Sequence, residues 1–138
     1  MNEPDVIQWY KKADNDYEAA YFLNSDYKKK TDIICYLCSQ SVEKYLKGFL
    51  VFHNQEFEKK HNLNVLNDLC ISYDKKFENI RDDCKSLNKY STETRYPNGR
   101  DTTITDSNFC LKTVDKIVKF LPLQELRKAL KIKPVEHQ

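Results

Sequence analysis

Gln40, Glu43, Lys44 and Lys47 recur at helical spacing, so they share one face of a predicted helix. Periodicity alone reads such a stripe as a solvated surface, with Glu43 and Lys47 as a helix-stabilising i,i+4 pair. The alternative is chemical, because ammonium groups and an amide on one stripe suit contacts to phosphate oxygens. Arg95 has the planar fork for a bidentate phosphate contact, and its other reading is a loop arginine or a bridge to the body of the protein. His61 either orients a neighbouring group, contacts a phosphate, or caps a helix.

Metal and phosphate-loop chemistry find little support. Cys35-x-x-Cys38 has metal-ligand spacing, but a zinc site needs about four ligands and no second such pair or paired histidine occurs. Both thiols fall inside a predicted helix, which favours ordinary core cysteines. Neither Gly48 nor Gly99 stands in a glycine-rich phosphate pattern, and the histidines are scattered. No metal or cofactor is expected.

The elements that position these residues follow from a chain of 138 residues with 40% apolar and 32% charged residues, and only 2 Gly and 4 Pro. Few turn formers favour helices, and the length suits one domain with one core. Pro4 opens a first helix running to about Asn24, with Ile7, Tyr10, Ala13 or Asp14, Tyr17, Ala20 and Tyr21 recurring along it. Lys28-Lys29-Lys30 reads as a solvated connection. Thr31 then caps a helix reaching about His53.

Apolar residues cover well over half of that second helix, where a one-sided surface helix needs a stripe of only about 100°. Cys38, Ser41 and Gly48 form a small-residue seam beside Tyr45, and a mid-helix glycine costs about 1 kcal/mol relative to alanine. A close helix crossing explains that cost, so Cys38, Ser41, Tyr45 and Gly48 are expected at a dimer interface.

Asn62 or His61 opens a third helix with Leu63, Leu66, Leu69, Cys70 and Tyr73 inward, and Asp74 caps a fourth with Phe77, Ile80, Cys84 and Leu87. Tyr96-Pro97-Asn98-Gly99 marks a turn. A fifth helix starts near Thr105 or Asp106, buries Phe109, Leu111, Val114, Ile117, Val118 and Leu121, and is interrupted at Pro122. Leu123 to Leu130 adds a short helix, and 131–138 reads as a loose basic tail. The expected fold class is all-α, an up-and-down bundle of about five helices in a single domain spanning 1–138.

The net charge of +2 is too mild to argue for nucleic acid by itself. The acidic first residues carry no signal-peptide pattern, and apolar runs fall well short of the roughly 20 residues that cross a bilayer. A cytoplasmic location is expected, with no membrane contact and with Cys35, Cys38, Cys70, Cys84 and Cys110 as reduced thiols.

The order of these motifs resembles the HEPN family, the higher eukaryotes and prokaryotes nucleotide-binding domains. Gln40, then Glu43-Lys44, then Leu46-Lys47 match its Gln/Ala-rich, Glu-Lys and Leu-Lys steps. His61-Asn62-Leu63 matches its His-Asp-Leu step with Asn62 in place of Asp, and Arg95-Tyr96-Pro97 matches its Arg-Tyr-Pro. The resemblance covers nearly the whole chain, including Trp9, Ala13 and Ala19 in the first helix. It implies a homodimeric helical module that binds a nucleotide or RNA through Gln40, Lys44, Lys47, His61, Arg95 and Tyr96. It equally implies pairing with a small nucleotidyltransferase, in a toxin–antitoxin or stress-response system.

HEPN ribonucleases resemble one another in an Arg-x(4 to 6)-His motif. Here Arg81, Arg95, Arg100 and Arg127 are all followed by windows without histidine at that offset. His53 follows Lys47 at a comparable distance, but lysine cannot replace the bidentate guanidinium. The expectation is therefore a non-catalytic module. Two alternatives stay open: an atypical metal-independent endoribonuclease using His61 and Arg95 across a dimer, and a structural protein-interaction subunit.

Overall fold

The computed structural model describes residues 2–59, 62–93, 97 and 101–135. Among them are six α-helices, one 3-10 helix and no strand. Pro4 and the acidic Glu3 and Asp5 start α1 (Glu3–Asp26), where proline lacks no needed N–H and carboxylates face the positive helix end. A turn closed by Lys30 N–H on the Tyr27 carbonyl (2.9 Å) reverses the chain into α2 (Thr31–Phe52). Thr31 is the first residue of α2 rather than its cap. Its hydroxyl bonds Thr102 (Oγ1···Oγ1 2.7 Å) and ties the start of α2 to the approach to α5.

Asn62 caps α3 (Leu63–Ile71), its side-chain oxygen accepting from Asn64 N–H at 3.0 Å and Val65 N–H at 3.3 Å. Asp74 caps the 3-10 helix Lys75–Ile80, which leads straight into α4 (Arg81–Glu93). Thr103 and Asp106 exchange bonds as a capping box and start α5 (Ile104–Val118), a residue or two before the sequence-based start. Pro122 does not interrupt α5: it sits in the first turn of α6 (Leu121–Ala129), where a missing N–H costs nothing. No described helix is long and apolar enough to cross a membrane.

The second helix is the axis of the molecule and touches α1, α3, α4, α5 and α6. This accounts for the wide apolar arc, and a neighbour in the same chain covers Cys38, Ser41, Tyr45 and Gly48, the residues expected to meet a second copy. All four are buried within one chain. The first helix runs antiparallel along α2: the Ser41 hydroxyl donates to the Ala13 carbonyl at 2.9 Å, and Tyr45 OH bonds Asp14. A Cβ at Gly48 would come within 3.1 Å of the Tyr10 ring and 3.3 Å of Trp9 Cβ. The small seam exists to let α1 approach.

Three side chains expected inside are outside: Phe109 (44% exposed), Leu121 (57%) and Tyr73 (41%). On α5 the inward positions are taken by the small Ser107, Cys110 and Thr113 beside Leu111, Val114, Ile117 and Val118, and Phe109 falls on the opposite side. All five cysteines are free and buried. The C-terminal stretch is not loose as far as it is described, since Ile132 and Val135 pack on the core and Ile132 N–H bonds the Arg127 carbonyl at 2.9 Å.

Candidate functional site

The polar stripe of α2 is not a solvated face. Gln40, Glu43 and Lys47 are 7%, 2% and 6% exposed, and only Lys44 keeps partial access to water. The cover comes from α1 and from the connection after α2. Trp9 and Phe57 meet edge to face with centroids 6.3 Å apart, and the Lys47 ammonium lies 5.5 Å from the Trp9 ring and 5.6 Å from the Phe57 ring. Cations are attracted to such ring faces, more strongly where water is excluded.

Under this aromatic cover Lys47 Nζ donates to Glu43 Oε2 at 2.8 Å, and Gln40 Nε2 reaches Glu43 Oε1 at 3.5 Å. Lys44 is joined to Asp16 on α1. Both lysines expected to contact phosphate are therefore already neutralised by carboxylates of the same chain. A phosphate reaching Lys47 would have to break a buried ion pair, which costs several kcal/mol, about 3–5 in measured cases. Lys47 and Glu43 hold α2, α1 and the connection together. That is a positioning task.

A second buried ion pair carried no signal in the motifs. Arg127 of α6, 3% exposed, grips Asp14 of α1 through Nη2 (2.6 Å) and Nη1 (3.1 Å), and Nη1 also donates to the Lys133 carbonyl at 2.7 Å. Burial lowers the guanidinium's pKa, but the bonds and charge of Asp14 outweigh it and leave it raised. Tyr10, whose hydroxyl donates to the Leu123 carbonyl at 2.8 Å, has its pKa raised by burial, as has Tyr45. The only sequence hints were Asp14 on the inner stripe of α1 and Arg127 at helical spacing from Leu123 and Leu130.

His61, Arg95 and Tyr96 lie outside the described residues. The elements that flank them do meet: the side-chain oxygen of Asn88 on α4 accepts from Leu63 N–H, the first residue of α3, at 2.9 Å. Ser91, one turn further along α4, donates to the Asn88 carbonyl at 2.8 Å. Beside Asn62 a groove of about 450 Å³ opens between Glu56–Glu58 and Val65, Leu66 and Leu69 of α3, with Phe57 in its wall. That volume is in the range of small-molecule sites, roughly 300–1,000 Å³. No described group of three or more His, Cys, Asp or Glu residues is arranged to hold a metal ion.

A family model described as HEPN domain matches residues 6–127, nearly the whole bundle. The chain belongs to the HEPN family. The crystal structure of ST0689, an archaeal HEPN homologue, superposes with a TM-score of 0.65 at 24% identity, covering 91% of this chain and 97% of that one. At that identity the likeness speaks for the fold, and it agrees with the helical bundle seen here. No curated protein matches this chain. In this HEPN domain Lys44 and Lys47 both reach α1, through Asp16 and through the Trp9 ring.

Proposed function

We propose that this HEPN domain binds a nucleotide or RNA at the end of the bundle where α3 begins and α4 ends, and does not cut RNA by Arg-x(4 to 6)-His chemistry. The observation that supports this reading is the Leu63–Asn88 bond at 2.9 Å, which joins the start of α3 to α4 in its second half. In the sequence His61 directly precedes Asn62, and Arg95 follows Ser91 by four residues. The groove beside Asn62 offers apolar contact for a base, and Arg95 offers a fork for phosphate. Lys44 and Lys47, engaged by Asp16 and Glu43, hold the frame behind it.

The test is isothermal titration with ATP, GTP and a short single-stranded RNA, after light scattering fixes the mass of the protein. Saturable binding that drops at least tenfold in Arg95→Ala and in His61→Ala, with the helical signal unchanged, is the expected result. Binding untouched by both variants removes the site assignment. A protein that binds none of the three ligands loses this reading, and weight moves to pairing with a small nucleotidyltransferase.

A further inference from the structure

The turn between α1 and α2 combines unpaired charge with an exposed aromatic ring. Lys28, Lys29 and Lys30 are consecutive and exposed, and no carboxylate among the described residues pairs with any of them. Tyr27, which opens the run, is 57% exposed, and Phe22 on the last turns of α1 is 62% exposed. Tyr27 is the C-cap of α1, outside the helical backbone, and Phe22 lies within the helix five residues earlier. The turn lines a hollow of about 450 Å³ with Ser25, Asp26, Tyr27 and the three lysines.

The exposed Tyr27 ring and the three unpaired lysines line one hollow. We propose that the α1–α2 turn is a contact for single-stranded RNA, in which Lys28, Lys29 and Lys30 neutralise phosphates while Tyr27 stacks on a base. Unpaired lysines track a backbone without reading sequence, and aromatic faces accept any base. The exposed Tyr27 ring favours this partner over an acidic peptide, which would use the lysines but not the flat aromatic face. Asp32, exposed at the start of α2 with its Oδ1 accepting from Ile33 N–H at 2.9 Å, keeps its negative charge, so with Asp26 it leaves the three lysines a net positive balance of one. Asp26 stands in the hollow as a like charge to phosphate. The contact rests on the reading that this domain binds RNA, and it adds a second place on the molecule.

The experiment is fluorescence anisotropy of a labelled 12-nucleotide oligouridylate with the full chain, titrated across a salt series. Each lost phosphate contact lowers the slope of log K against log salt by about 0.7 for a single strand, so K28Q/K29Q/K30Q is expected to lower it by about 2. Tyr27→Ala should weaken binding about tenfold or more with the slope unchanged, a loss of stacking without loss of charge. Asp26→Asn should tighten binding. All of these positions are on the surface, and circular dichroism confirms that the bundle is intact. If wild type binds RNA and Arg95→Ala weakens it while the triple variant keeps its slope, this contact is overturned and the site at the α3–α4 end stands. If the triple variant loses the slope and Arg95→Ala changes nothing, the turn is upheld and the α3–α4 site falls. No binding by wild type overturns both.

Discussion

The α2 stripe shows how little a residue's type says about its use until its cover is known. Glu43 and Lys47 were legible as an i,i+4 pair. Their burial was not, because it depends on Trp9 from α1 and on Phe57, ten residues beyond Lys47. Glu43→Leu should strand the Lys47 ammonium, whose side chain is only 7% exposed, and destabilise the protein by about 3–5 kcal/mol in urea unfolding followed by helical signal. Glu43→Leu with Lys47→Met, an apolar pair of similar volume, should recover most of the loss. A single variant costing under about 1 kcal/mol would mean the lysine stem reaches water by another path. His53 gives a pH prediction of definite sign. It is stacked on Tyr73 (centroids 4.4 Å apart), and burial lowers its pKa, with Asp74 opposing in part. The unfolded chain binds the proton more readily, so stability from His53 is full above about pH 6.5 and is lost as pH falls through the lower folded value. His53→Phe keeps a ring there and removes the titration, so its melting temperature should fall less between pH 7.5 and 5.5 than that of wild type. Equal falls would remove His53 as the cause.

At the scale of helices, existence and order were readable because period, caps and breakers agreed. Pro4, Asn62 and Asp74 act where their side chains suggested, while Thr31 is a first helical residue rather than a cap and the Thr103 cap was not foreseen. What the pattern could not supply was the partner of a buried face. The wide apolar arc of α2 and the seam of Cys38, Ser41 and Gly48 say only that something comes close, and a neighbour in the same chain satisfies them as well as a second copy does. Gly48→Ala tests the geometry. Alanine brings a helix-propensity gain of about 1 kcal/mol, against a crowding cost of typically 1–3 kcal/mol when a tight core gains a methyl group. The Tyr10 ring cannot swing aside freely, because its hydroxyl is held on the Leu123 carbonyl, and Trp9 Cβ belongs to the α1 framework. Gly48→Ala is therefore expected to lose about 1 kcal/mol, measured by urea unfolding. A stabilised Gly48→Ala would show that α1 can retreat, and that the close approach is not what fixes the glycine.

For the whole molecule the consequence of one central helix is a core that opens as a unit. Cys35 and Cys38 lie on α2, Cys70 on α3, Cys84 on α4 and Cys110 on α5, so the five buried thiols sample four helices around one axis. Helical spacing placed Cys70 and Cys84 on inner faces and read Cys35 and Cys38 as core cysteines, but it gave the inward place beside Cys110 to Phe109. Burial pushes the Cys84 thiol up to about 12 and raises Cys38 and Cys70 as well, while Cys110 is raised first by its hydrogen bond with Cys35 and then by burial. The thiolate is the reactive species, so at pH 8 both access and ionisation protect these groups. A disulfide-exchange reagent should therefore label none of them in the native protein, and its rate should climb with urea in step with global unfolding. Mass spectrometry should then show mainly molecules with none or all five thiols modified, since a chain that opens around α2 exposes every helix that packs on it. Partial labelling confined to Cys70 and Cys84 would instead show that α3 and α4 part from the bundle before the rest. That end carries the candidate nucleotide site, and a ligand bound there should suppress such labelling in proportion to its affinity.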